Sequence, residues 1–210
     1  MNDQRTPEWF ADRCGKVTAS KIADLMAQTK SGPSASRANY AAQLIAERLT
    51  GTVEQGFTNS AMQHGIDCEA EARQAYEFMY DATVVEVGMV PHPSIEMAGA
   101  SPDGLVGDDG LIEIKCPNTA THIATLRGGA IPDKYVKQMQ FQMACTDRKW
   151  CDFASYDPRL PVEMRLHVTR VPRDDEAIAE IEAAVIHFLT EIETTVADLA
   201  ATYMREAALC

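Results

Sequence analysis

The chain has 210 residues, 46% of them hydrophobic, and a formal net charge of −12. That length and apolar content suit one domain with a sizeable core, and no apolar run approaches the roughly 18 residues of a membrane-spanning helix. The acidity argues against a protein that coats nucleic acid over its whole surface. The charge is uneven, however: residues 1–50 carry seven Lys/Arg against five Asp/Glu, and residues 171–210 carry two against nine. A basic face in the N-terminal half can still meet phosphates. The polar start, Met1-Asn2-Asp3-Gln4-Arg5, has no signal-peptide core, so a cytoplasmic protein is expected. The six cysteines form no C-x-x-C pair and read as small buried hydrophobes rather than as a zinc site or disulfide framework.

In chain order, a short helix is expected from Pro7 to about Cys14-Gly15, and a second, capped by Thr18 or Ser20, to Met26. After the break Ser31-Gly32-Pro33-Ser34, a third helix presents Tyr40, Leu44, Ile45 and Leu49 on one face, with Gly51 as its stop signal. Residues 52–59 read as loop. A fourth helix runs from a Ser60 cap to about Tyr80, with an apolar stripe through Met62, Gly65 or Ile66, Ala72, Tyr76 and Met79. Glu69 falls on that stripe. A carboxylate there needs a partner, because burying it alone is costly. It either pairs with Arg73 at i, i+4 or joins an acidic site elsewhere.

Thr83–Val90 reads as a β-branched strand, and Met97–Ser101 as a strand leading into the most informative stretch, Ala100 to Pro117. There Asp103 is followed by Glu113 and Lys115 across a Gly-Asp-Asp-Gly turn. Gly104–Val106 and Leu111–Cys116 form the arms of a β-hairpin closed by Gly107–Gly110. Alternation puts Ile112, Ile114 and Cys116 on one face and Leu111, Glu113 and Lys115 on the other. An odd-length loop sets Asp103 directly opposite Glu113, and an even one sets it diagonally. Two carboxylates and an amine on one spot suit Mg²⁺-dependent phosphodiester hydrolysis: oxygens hold the hard cation, the metal polarises phosphate and acidifies water, and the amine orients that water or offsets charge.

Asn118 caps a helix to about Arg127-Gly128-Gly129, and Asp133 opens another through about Thr146. Gln138 and Gln142 lie one turn apart on the latter, a spacing that by itself reads as a solvated face. Trp150–Tyr156 and Met164–Val171 are strands, and Asp174 caps a last helix to about Ala207 with Ile178, Ile181, Val185, Phe188 and Leu189 inward. The histidines lack metal-ligand spacing, no serine has a visible His/Asp arrangement, and Gly128-Gly129 lacks the Lys-Ser/Thr ending of a phosphate-binding loop. The expected fold is α/β, a central mixed β-sheet flanked by helices, arranged as N-terminal helices (7–50), a core (about 60–171) and a C-terminal helix (about 174–207) in one domain.

Pro102-Asp103-Gly104 with Glu113-Ile114-Lys115 resembles the PD-(D/E)xK nuclease signature. More narrowly, Ser101–Leu105 and Leu111–Pro117 resemble the family of bacteriophage lambda exonuclease and the YqaJ-like viral recombinases. So do Trp9-(x3)-Arg13 with Cys14–Ser20, Gly65-(x3)-Glu69-(x3)-Arg73, Tyr135-(x2)-Gln138-Met139-Gln140 and Tyr156–Arg159. His64 departs from the pattern, where members often have Trp. The resemblance implies a restriction-endonuclease-like core and 5′-to-3′ digestion of one strand of linear duplex DNA, leaving a 3′ overhang for a single-strand annealing protein. It implies that Asp103, Glu113, the Ile114 carbonyl and Glu69 hold Mg²⁺, in two ions for which Mn²⁺ substitutes, and that Lys115 positions the attacking water. It further implies that Arg13, Ser20, Ser101 and Gln138 form a 5′-phosphate pocket, and that three copies form a ring around DNA. An endonuclease of the same fold and a non-catalytic DNA-end-binding module are the alternatives.

Overall fold

The computed structural model describes residues 4–30, 32–53 and 60–204, with the backbone alone at 60–62. Its helices are α1 (Pro7–Arg13), α2 (Ile22–Met26), α3 (Ala35–Thr50), α4 (Ser60–Tyr80), α5 (Thr119–Leu126), α6 (Asp133–Thr146) and α7 (Asp175–Tyr203). Its strands are β1 (Val17–Thr18), β2 (Gln28–Thr29), β3 (Gly32–Pro33), β4 (Val84–Val85), β5 (Val90–Pro91), β6 (Ala98–Ala100), β7 (Gly104–Val106), β8 (Gly110–Lys115), β9 (Trp150–Tyr156) and β10 (Leu166–Pro172).

Local chemistry fixes most boundaries. Thr6 caps α1 by accepting the Trp9 N–H, Ser34 caps α3 through Arg37 N, Asn118 caps α5 through Thr121 N, and Asp174 caps α7 through Glu176 N and Ala177 N. Helix α3 stops at Gly51, whose left-handed φ of 65° is a conformation glycine adopts at no steric cost. Helix α2 departs from expectation. Neither Thr18 nor Ser20 caps it; a 3₁₀ turn over Ala19–Lys21 leads in without a side-chain cap.

The main sheet has the order β10-β9-β8-β7-β4, with β8 and β9 parallel and the other pairs antiparallel, so it is mixed as expected. A small sheet, β1-β6-β5, lies apart, and β2 and β3 make a separate two-stranded ribbon. The single strand expected over Thr83–Val90 is instead two short strands, β4 in the main sheet and β5 in the small one. Gly88 lies between them and weakens strand structure, and Glu86 there pairs with Arg73 at 2.6 Å. The expected loop at 52–59 lies mostly outside the described residues, as do Ser31 and the last residues of the expected C-terminal helix.

Helices cover both faces of the main sheet. On one, Ala72 and Tyr76 of α4 pack with Ile112, Ile114 and Tyr156; on the other, Met139 and Met143 of α6 pack with Leu111, Cys151 and Phe153. The outer side of α6 is covered too. Phe141 and Cys145 join Ile22, Leu25, Tyr40 and Leu44 with Ile181, Val185 and Phe188 of α7. Helix α6 therefore lies between the sheet and a second helical layer, and Met139 through Cys145 are buried without interruption.

Candidate active site

The site grows from the β7–β8 hairpin. Gly104 pairs with Ile112, Leu105 with Leu111 and Val106 with Gly110, which leaves three residues in the loop. That odd loop carries Asp103 to the position across from Glu113. Gly104 is required next to it, because a Cβ there would sit 2.1 Å from Val84 Cγ1 on β4. The Asp103 carboxylate turns across the hairpin and its Oδ2 accepts the Ile114 N–H at 2.7 Å.

Glu113 is fully buried in the central strand. Its Oε1 accepts from Gln138 Nε2 at 2.7 Å and from the Lys115 ammonium, and its Oε2 accepts from Gln142 Nε2 at 2.7 Å. Both glutamines of α6 thus converge on one carboxylate. Gln142 is completely buried, and its own Oε1 has no hydrogen-bond partner among the described residues. The solvated face suggested by the spacing is wrong, because α6 is covered on both sides. Lys115 Nζ lies 5.2 Å from the Tyr135 ring centroid, and that ring stacks on Phe153.

Burial and the facing Glu113 carboxylate push the Asp103 carboxyl well above its ordinary value, with Glu69 adding to the effect and Lys115 and the Ile114 N–H opposing it. Burial opposes the charge on Lys115, but Glu113 and Asp103 outweigh it and raise its pKa. A cation placed between the two carboxylates would offset the charge that burial penalises. The donors suit a hard divalent ion: the Asp103 and Glu113 carboxylates, with the Ile114 carbonyl on the strand between Glu113 and Lys115. Among the described residues no three His, Cys, Asp or Glu side chains are grouped to hold a metal. Further ligands would have to come from backbone, water or substrate.

A cleft of about 830 Å³ opens over this centre, lined among others by Arg5, Ser20, Glu69, Asp103, Lys115 and Arg159. Glu69 is on its wall, but its oxygens are engaged: Oε1 with Arg73 Nη2 at 3.2 Å and Oε2 with Arg5 Nη2 at 2.5 Å. The i, i+4 pair exists, and Glu69 lines the same cleft as Asp103, but its carboxylate is taken up by the two arginines rather than grouped with the other acids. Arg5 and Arg159 were not singled out from sequence. Arg159 is held by the buried Asp157, which accepts its Nε at 2.6 Å and Nη2 at 3.0 Å. Burial raises the Asp157 pKa, but hydrogen bonds from Arg159 and Thr119 outweigh that and bring it to about 2.

The expected phosphate-binding residues divide into two groups. Arg13 packs over the Trp9 ring with its guanidinium carbon 4.2 Å from the centroid. Ser101 Oγ accepts from Trp9 Nε1 at 2.9 Å and Arg13 Nη1 at 3.4 Å. Burial lowers the Arg13 pKa, with Tyr40 and Glu47 partly restoring it. Ser20 is exposed and lines both the main cleft and a neighbouring cavity of about 170 Å³ that Arg13, Trp9 and Tyr40 also line. Arg13, Ser101 and Ser20 therefore flank the carboxylates. Gln138 instead bonds to the Glu113 carboxylate. The buried histidines are structural: His122 bridges Ser155 Oγ and the Met164 carbonyl, and His92 contacts Glu182.

Mixed sheet, flanking helices and a carboxylate hairpin define a restriction-endonuclease-like α/β core. A model of the YqaJ-like viral recombinase domain matches residues 8–149, and the chain belongs to that family. The fold is similar to that of an alkaline exonuclease, LHK-Exo, from Laribacter hongkongensis, with a TM-score of 0.89 and 55% identity over 96% of this chain and 100% of that one. A structure of LHK-Exo in complex with dAMP matches equally well, with a TM-score of 0.89, 55% identity and the same 96% and 100% coverage. A phage-related exonuclease from Haemophilus somnus 129PT shares the fold at a TM-score of 0.68 and 15% identity, over 88% of this chain and 96% of that one. No curated protein matches the chain. Among the described residues no helix is long and apolar enough to cross a membrane.

Proposed function

We propose that this protein is a Mg²⁺-dependent exonuclease that digests one strand of linear double-stranded DNA from its 5′ end and leaves a 3′ single-stranded overhang. The observation that carries the reading is the shared hairpin face of Asp103, Glu113 and Lys115, of which Asp103 and Lys115 line an open cleft together with Arg5 and Arg159. The 55% identity to an alkaline exonuclease over nearly the whole chain supports the reaction class.

Asp103, Glu113 and the Ile114 carbonyl would hold the cation; Glu69, expected with them, is held on the cleft wall by Arg5 and Arg73. Bound Mg²⁺, or Mn²⁺ in its place, supplies Lewis acidity toward the scissile phosphate and a more acidic water; two ions are expected. The protein's own residues do the rest. Gln138 and Gln142 fix the Glu113 carboxylate. Lys115, tethered to Glu113 and braced over Tyr135, orients the attacking water and offsets the charge that develops on phosphate. Arg13 and Ser101, with Ser20 at the rim and Gln138 toward the carboxylates, receive the terminal 5′ phosphate, whose charge-assisted bonds to a guanidinium set the register of the strand.

An acidic chain that stays on DNA through many cuts needs topological help, because its attraction to phosphates is easily screened. A homotrimeric ring gives it, and the overhang is passed to a single-strand annealing protein. Light scattering should then report about three times the 23.0 kDa chain mass. The test of function is incubation with Mg²⁺ and labelled duplex in linear and covalently closed circular form. The expected result is release of mononucleotides from linear 5′ ends and an intact circle. Cleavage of the circle, or loss of label from 3′ ends first, overturns the proposal.

A further inference from the structure

The residues just before α1 form a strap over the edge of the catalytic cleft. Gln4 Nε2 donates to the Pro102 carbonyl at 2.8 Å, next to Asp103, and to the Val87 carbonyl at 2.9 Å. Thr6 anchors the other side of Arg5 as the cap of α1. Between these two anchors Arg5 has a φ of 67°, a left-handed conformation that is uncommon for a non-glycine residue and persists where the surroundings enforce it. Its guanidinium reaches Glu69 Oε2 at 2.5 Å, while 44% of the side chain stays exposed and lines the same cleft as Asp103 and Lys115. Glu69 is in turn held by Arg73, and Arg73 by Glu86.

A guanidinium has five N–H donors in a rigid fork, and the Glu69 contact engages one of its nitrogens. Arg5 is flanked by side-chain anchors at Gln4 and Thr6 and lines a cleft that also holds Asp103 and Glu69, where a polyanionic substrate needs a compensating cation. We infer that Arg5 grips a backbone phosphate of the strand being cut, and that Glu69 is the positioning residue that holds its fork in place. The inference rests on the nuclease reading and adds to it a phosphate contact separate from the Arg13–Ser101 pair.

The experiment measures binding of a 5′-phosphorylated linear duplex by fluorescence anisotropy, with Ca²⁺ in place of Mg²⁺ to suppress cleavage, from ~50 to ~200 mM salt. Arg5→Ala is expected to weaken binding about tenfold, the scale of one charge-assisted contact. It should also lower the slope of log affinity against log salt by about 0.9, the signature of one lost phosphate. Arg5→Lys keeps the charge and should restore the slope while recovering only part of the affinity. Glu69→Gln should weaken binding in the unmutated background and add nothing in the Arg5→Ala background, because it acts through Arg5. An unchanged slope in Arg5→Ala overturns the inference. So does unchanged DNA binding accompanied by a lower Mg²⁺ requirement for cleavage, which would make Arg5 a stand-in for a cation at Glu69. Either result leaves the nuclease reading intact. That reading, and this inference with it, fails if the unmutated protein neither binds nor cuts duplex ends.

Discussion

Gln142→Leu separates the chemistry of the site from the stability of the fold. Gln142 donates at 2.7 Å to Glu113 Oε2, and both residues are wholly buried. Losing a hydrogen bond to a charged group costs about 1.5–3 kcal/mol. The same side chain, however, carries a buried Oε1 with no partner among the described residues, an uncompensated polar atom that already costs roughly 1–3 kcal/mol. Leucine removes both, and helix α6 packs on the sheet here through an apolar cluster that includes Met139, Met143 and Leu111. The two effects nearly cancel, so global stability by denaturant titration should change by less than about 1.5 kcal/mol. Glu113 nevertheless loses one of the bonds that orient it, and outer-shell losses of this kind typically cost about 10–100-fold in metal affinity or activity. The assay pairs urea denaturation with initial cleavage rates across Mg²⁺ concentration. A variant with full activity and an ordinary Mg²⁺ requirement would refute the argument that Gln142 holds the reactive carboxylate; a collapse of the fold would refute the cancellation.

Arg13→Ala should erase most of the preference for 5′-phosphorylated over 5′-hydroxyl ends, read as initial rates on matched linear duplexes; equal rates on both ends in the unmutated protein would show the pocket is misassigned. The Asp103 pKa is raised in the folded protein, so ionising it costs stability. That penalty is absent below its ordinary value of 3.8 and grows as pH rises through the raised pKa. Metal-free Asp103→Asn should therefore melt higher than the unmutated protein at neutral pH, with the difference vanishing toward pH 4. Asp157 has the opposite sign: lowered to about 2, it stabilises the fold above its ordinary value, and that contribution is lost as pH falls through about 2. Asp157→Asn should flatten the acid limb of a stability–pH profile between about pH 4 and pH 2, and an unchanged limb would count against the Arg159 contact.

The catalytic hairpin was legible because everything that defines it is local. Alternation assigned the faces of β8, but whether Asp103 stands opposite or diagonal to Glu113 depended on a loop length that only the Val106–Gly110 pairing settles. Glu69 could be flagged from its place on an apolar stripe, but its partner Arg5 is 64 residues away and leaves no trace in helical periodicity. Gln142 was misread for a different reason. Periodicity separates buried from solvated faces only when a helix has a solvated face, and α6 is enclosed between the sheet and α7. The two-residue strands β1, β4 and β5 are too short to show alternation, so one long strand was expected where the chain passes between two sheets. Arg159 was visible only as part of a strand end, because its role depends on the buried Asp157 turning it toward Pro117 and the cleft.

The central claim is that Asp103, Glu113 and Lys115 form a metal-dependent phosphodiesterase centre. It is tested most directly by cleavage of end-labelled linear duplex by Asp103→Asn, with circular dichroism to verify the fold and Mg²⁺ varied from none to saturation. The expected result is a folded protein with no Mg²⁺-stimulated release of nucleotides at any concentration. Near-normal, Mg²⁺-stimulated digestion by this variant would contradict the assignment.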